Sequence, residues 1–76
     1  MDRADIVGKP VFMVAAAAGM FKSNGEARRM AVQGGLSLNG AKVDDKRAFE
    51  EGDLIDGRVA VLRQGKKGNF LLKAGN

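Results

Sequence analysis

The stretch KSNGEARRMAVQGGLSLNGAKV, Lys22–Val43, decides the fold because it carries a helix start, a helix stop and a hairpin turn in succession. Ser23 can accept from the free backbone N–H groups that open a helix, and Glu26 can reach back as the other half of a capping box. Gly34 and Gly35 stop that helix at about Gln33. Asn39 and Gly40 then tolerate the positive φ angles of a two-residue type I′ turn. The turn sets the register: Leu38 faces Ala41, Ser37 faces Lys42 and Leu36 faces Val43. Apolar pairs therefore share one side of the hairpin, and Ser37 with Lys42 take the other.

Placed at about 100 degrees per residue, Ala27, Met30 and Ala31 cluster on one side of the helix as its core stripe. Arg28, Arg29 and Gln33 spread over the opposite side with the small Gly25 among them, and Val32 is the one apolar intruder. On its own, such a face is more often simply solvated than part of a site.

Upstream, Pro10 suits the first turn of another helix, the segment Val11–Ala18 propagates it, and Gly19 offers a left-handed cap. Residues 1–9 are expected to be a flexible end or linker remnant, with the domain proper spanning 10–76. Downstream, the acidic segment reads as a loop, and RVAVLR, Arg58–Arg63, as a strand. The turn QGKKG, Gln64–Gly68, then leads into NFLLK, Asn69–Lys73, as its antiparallel partner. The fold class is α+β, with two short helices packed on a small antiparallel sheet.

A chain of 76 residues makes one small domain, whose core supplies about 3 to 5 kcal/mol of net stability and leaves little room for an enclosed substrate cavity. It contains no cysteine and no histidine, which removes thiol nucleophiles, disulfides, imidazole bases and the common zinc ligand sets. No metal site is expected. The longest apolar run, Val11–Phe21, is about half of the roughly 20 residues that a bilayer requires. Asp2 and Asp5 sit where a signal peptide should be basic, so a reducing cytoplasm is the expected compartment.

The net charge is +4, unevenly distributed. Between Asp44 and Asp56 six acids face two bases, giving −4; the remainder has eleven bases and three acids, giving +8. Charge separated in this way suggests one positive surface, which attracts polyanions at long range.

The string S-N-G-E-A-R-R-M-A-V-Q-G-G-L-S-L-N-G-A-K-V resembles the RNA-binding motif of the small-subunit ribosomal protein S-four superfamily, an α-L fold that presents a basic surface to structured RNA. The string D-L-I-D-G-R-V-A-V-L-R-Q-G-K-K-G-N-F resembles the C-terminal end of bacterial tyrosyl-tRNA synthetases, where this module is appended to a catalytic body. Together the matches cover roughly Val11–Leu72. Gly68 departs from the pattern, in which lysine is followed directly by Asn and an aromatic residue.

The resemblance implies a domain that binds tyrosine tRNA at its variable arm and neighbouring anticodon stem. It also implies a homodimeric parent, although the isolated domain is expected to be a monomer. ATP would bind a catalytic domain, because this chain has neither a His-Ile-Gly-His-like motif nor a Lys-Met-Ser-Lys-Ser-like loop; no cofactor is expected here.

With no Trp or Tyr present, and the four Phe assigned to the core, reading of RNA by backbone and shape is favoured over base stacking. Lys22, Arg28, Arg29 and Lys42 are placed to contact phosphates; Ser23, Gln33, Ser37 and Asn39 could hydrogen-bond phosphate or 2′-hydroxyl groups. Ser23 and Asn39 already have work as cap and turn. Arg63, Lys66 and Lys67 form a second cluster that reads equally well as RNA contact or as a solvated loop tip. The acidic segment is expected to face away from RNA or toward the rest of an enzyme. Two other readings stand beside this one: a free-standing protein of the same superfamily acting on ribosomal RNA, and a protein-interaction module with an incidental basic face.

Overall fold

The structure, a computed structural model, describes residues 2–65 and 68–75. Two helices, α1 (Val11–Ala17) and α2 (Asn24–Val32), precede β1 (Leu36–Leu38) and β2 (Ala41–Lys42). A 3-10 turn at Glu51–Asp53 then leads to β3 (Val59–Gln64) and β4 (Asn69–Lys73). All strand pairs are antiparallel, in the spatial order β2-β1-β3-β4. The α+β architecture is therefore the one the sequence indicates, with β3 shifted one residue toward the C-terminus.

Both helices end in the same way. In α1, Gly19 N–H donates to Ala16 O at 3.0 Å and Met20 N–H to Ala15 O at 3.1 Å, with Gly19 at φ 96°. In α2, Gly34 N–H donates to Ala31 O at 3.0 Å and Gly35 N–H to Met30 O at 2.9 Å, with Gly34 at φ 80°. These are Schellman closures, which satisfy the last free carbonyls of each helix. Gly35 also passes directly beneath Met30, whose Sδ occupies the space that a Cβ on that glycine would need.

The α2 start differs in one detail from a capping box. Ser23 Oγ accepts from Glu26 N–H at 3.2 Å, but the Glu26 carboxylate accepts from Lys22 N–H, also at 3.2 Å, rather than from the cap residue itself. The hairpin register is as read: Ser37 pairs with Lys42 and Leu38 with Ala41, and Val43 N–H donates to Leu36 O at 3.0 Å. Asn39 and Gly40 adopt φ 51° and 90°, the left-handed pair that a type I′ turn needs.

The core joins Val11, Val14 and Ala15 of α1 and Ala31 of α2 to Leu36, Leu38, Ala60, Leu62 and Leu72 of the sheet. It also takes in side chains from outside the regular elements, among them Ile6 and Phe49, at 0% and 1% exposure. Ile6 corrects the expectation of a loose end at residues 1–9. Its segment contains a 3-10 turn at Arg3–Asp5, and Gly8 N–H donates to Phe49 O at 2.7 Å while Phe49 N–H donates to Lys9 O at 2.8 Å. Arg3 also reaches across, donating from Nη2 to Gly57 O at 2.6 Å and pairing with Glu51 at 3.2 Å.

Phe49 corrects a second expectation. It is the one fully buried phenylalanine; Phe12, Phe21 and Phe70 are half-buried at the margin of the core. The acidic segment is thus fastened to the body by Phe49 and by Arg47, whose carbonyl accepts from Val11 N–H at 2.9 Å. That contact satisfies a donor that α1, opening without a polar cap, would otherwise leave free.

Candidate nucleic-acid interface

The α2 periodicity sorts as its sequence requires: Ala27 and Ala31 are buried, Met30 is half-buried, and Arg28, Arg29 and Gln33 are not in the core. Val32 also stands out, at 61% exposure. The two arginines are not equivalent. Arg28 Nε lies 3.0 Å from Asp45 Oδ2, whereas Arg29 has no ion-pair or hydrogen-bond partner for its side chain among the described residues. The acidic segment therefore does not face wholly away from the basic helix, because Asp45 is laid against it.

An ion pair this exposed contributes about 0.2 to 1 kcal/mol to stability, so Arg28 is restrained rather than locked. Asp45→Asn should free it and remove a negative charge from the basic face. The expected result is a rise of roughly two- to five-fold in affinity for a tyrosine tRNA transcript at low salt. Titration by fluorescence anisotropy checks this, and an unchanged or weaker affinity would show that Arg28 takes no part.

Lys42 belongs with α2 as well as with the hairpin. It is exposed, and its Cδ lies 4.0 Å from where a Cβ on Gly34 would stand, which brings a cation to the negative end of the helix. Lys22 is exposed at the opposite end, immediately before the cap Ser23. Ser37 is half-buried and pairs on its other side with Arg63, which in turn pairs with Asn69. Lys42, Ser37, Arg63 and Asn69 thus form a cross-strand row on the face opposite Leu36, Leu38 and Leu62, since directly paired residues share a face.

Asn39, placed by sequence among the RNA contacts, is used internally. Its Nδ2 donates to Asp53 O at 2.6 Å and its Oδ1 accepts from Val61 N–H at 2.9 Å, while its own N–H donates to Val61 O at 2.7 Å. The side chain clamps the turn to β3 and to the end of the acidic segment. Asn39→Ala would sever both amide contacts and leave a Cβ-bearing residue without local compensation in the left-handed region, at a cost of about 2 kcal/mol. Urea unfolding should show the loss, whereas tRNA affinity, measured where the variant remains folded, should stay within about two-fold; the reverse pattern would restore Asn39 to the RNA surface.

The end of β3 meets the end of α2. Gly65 N–H donates to Gly35 O at 2.6 Å, tying the start of the β3–β4 turn to the end of α2. Arg29, Gln33 and Gln64 consequently line one shared hollow. Gln64 escaped the sequence reading because only the nonlocal pairing of Leu36 with Gln64 brings it there. Arg63 is exposed and its Nε donates to Gly65 O at 3.1 Å. Lys66 and Lys67 lie outside the described residues. Asn69 pairs directly with Arg63, so the extra Gly68, at φ 129°, leaves β4 in step.

In the acidic segment, Arg47 Nη2 meets Asp53 Oδ1 at 2.8 Å. The hydrogen bond from Arg47 holds the Asp53 carboxyl below the usual carboxylate range and raises the guanidinium pKa in return. Asp44 Oδ1 accepts from Lys46 and Arg47 N–H, each at 2.9 Å. The charges Asp44, Arg47 and Asp53 thus serve the loop's own shape. Among the described residues no group of acids could hold a metal ion, and no helix is long and apolar enough to cross a membrane.

Residues 4–72 match the family described as tyrosine–tRNA ligase SYY-like C-terminal domain. The chain belongs to this family. The match to the SYY-like domain starts at residue 4 and so takes in Ile6, in keeping with the burial of that residue. Relatives of this SYY-like domain include the tyrosine–tRNA ligase of Bifidobacterium longum, 44% identical over 61 residues, which are 79% of this chain and 14% of the relative. The chloroplastic/mitochondrial tyrosine–tRNA ligase of Arabidopsis thaliana is 36% identical over 69 residues, 90% of this chain and 14% of the relative. That of Clostridium perfringens is 38% identical over 71 residues, 92% of this chain and 18% of the relative. The SYY-like domain therefore spans less than one fifth of the length of these curated relatives.

Proposed function

We propose that this domain binds tyrosine tRNA, at the variable arm and adjoining anticodon stem, and holds it for aminoacylation by the catalytic part of a tyrosine–tRNA ligase. The chain itself supplies no catalytic group; ATP and tyrosine are handled elsewhere in such an enzyme. The observation that carries this reading is the α2 surface, where Arg29 has no side-chain partner among the described residues, Lys42 reaches the C-terminal end of the helix and Gly65 is tied to Gly35. Lys22, Arg29, Lys42 and Arg63 serve as phosphate contacts, with Arg28 available once Asp45 yields it. Gln33, Ser37 and the hydroxyl of Ser23 add hydrogen bonds to phosphate or 2′-hydroxyl groups.

A tRNA backbone held by about four cations releases their counterions, so log affinity should fall against log salt with a slope of roughly −3 to −4. Titrating the 76-residue chain with a tyrosine tRNA transcript at several salt concentrations measures that slope directly. A flat response, or no binding even at low salt, would remove the RNA reading and leave the basic face incidental.

A further inference from the structure

Two shallow hollows adjoin at Gln64, between the α1–α2 connection and the β3–β4 turn. One, of about 180 Å³, is bounded by Phe21, Arg29, Gln33 and Gln64, together with Glu26 and Met30; the other, of about 200 Å³, has Gln64, Asn69 and Phe70 on its walls. Each is smaller than the roughly 300 to 1,000 Å³ of a site that encloses a whole small molecule. A single planar group is the right scale.

We infer that this cleft receives one unpaired base of the bound RNA, an inference that rests on the tRNA-binding reading above. Two primary amides stand on it, from Gln33 and Gln64, and neither makes a side-chain hydrogen bond among the described residues. A phosphate offers acceptors only, whereas a base edge presents donors and acceptors side by side, which a carboxamide matches with both its N–H and its C=O. The aromatic faces fit the same ligand. Phe21 and Phe70 are half-buried and both line the cleft, so each can offer apolar surface to a flat ring splayed from its stack.

Charge fits as well. Arg29 stands on the wall of the first hollow, where it can hold the phosphate attached to the inserted nucleotide. The Glu26 carboxylate on the same wall is already engaged by Lys22 N–H. The cleft thus adds base readout to a surface that otherwise grips only backbone, and it makes Gln33 and Gln64 specificity-determining residues.

The test uses the full chain and tyrosine tRNA transcripts in which each unpaired nucleotide is replaced, one transcript at a time, by an abasic site. One such position should lower affinity about ten-fold, the scale of removing one stacked base. Gln33→Ala and Gln64→Ala combined should produce a similar loss on intact tRNA and little further loss on that one abasic transcript. These two side chains are outside the core, so the variant tests the cleft without Phe21→Ala, which could disturb packing. If every abasic transcript binds like intact tRNA while Arg29→Glu still weakens binding, the cleft is empty and the tRNA reading stands. If intact tRNA does not bind at all, both fall together.

Discussion

Ile6→Ala is expected to leave a domain that is barely folded at room temperature. Ile6 has 0% exposure and belongs to the same core as Val11, Val14 and Phe49. Truncating a buried isoleucine to alanine costs about 2 to 5 kcal/mol, through lost transfer energy and the cavity left behind. A domain of this size commands only about 3 to 5 kcal/mol in all. Each kcal/mol corresponds to roughly 4 to 8 °C of melting temperature in a small domain, so the midpoint should fall by at least about 8 °C. Lys9→Ala, in the same segment but exposed, supplies the control and should shift it by less than about 2 °C. Circular dichroism melts of both variants decide the matter; equal, small shifts would return residues 2–9 to the status of a loose end.

That segment also shows where sequence reading stops. Ile6 and Val7 sit between charged residues and Gly8, with no period of two or of 3.6 around them, and so carry no local sign of burial. Phe49 is equally isolated in its acidic surroundings. By contrast, the Ser23 cap, the Gly34–Gly35 stop and the Asn39-Gly40 turn each act over a few residues, and all are legible. The basic side of α2 is legible for the same reason, from its helical period. What cannot be read are the contacts made across the chain: Asp45 against Arg28, Asn39 clamped to Val61 and Asp53, and Gln64 delivered beside Gln33. Each depends on the β1–β3 pairing or on the path of the acidic loop, neither of which leaves a local period.

Arg29→Glu should weaken tRNA binding by about ten- to a hundred-fold, the scale of exchanging one charge-assisted hydrogen bond for repulsion. Arg29 is the cleaner test of the two arginines because Arg28 is already paired with Asp45, so reversing Arg28 would also place two acids together. The salt slope should become shallower by about 1, since one fewer phosphate is neutralised. Lys46→Glu is the matched control: it carries the same charge reversal outside the core, but lies in the acidic segment, and should cost less than about three-fold. Both substitutions should keep stability within about 0.5 kcal/mol. Equal losses from the two would mean that net charge attracts the RNA and that the α2 face has no special part.

The sheet order leaves β2 and β4 as its two margins, and they differ in what they offer to a neighbouring copy. β2 has two residues, too few to template a further strand. β4 has five, with Leu71 at 52% exposure beside the half-buried Phe70. Its open backbone groups are where lateral association between crowded domains would begin. Three features blunt it: Gly68 breaks the extended run at one end, Lys73 places a charge at the other, and beyond Lys73 the chain turns to bridge Asp2. The anchored N-terminal segment therefore has a second consequence besides filling the core: its bridge from Asp2 to Gly75 holds the chain just beyond β4, so loosening Ile6 would release that end of the open margin as well as leave a cavity.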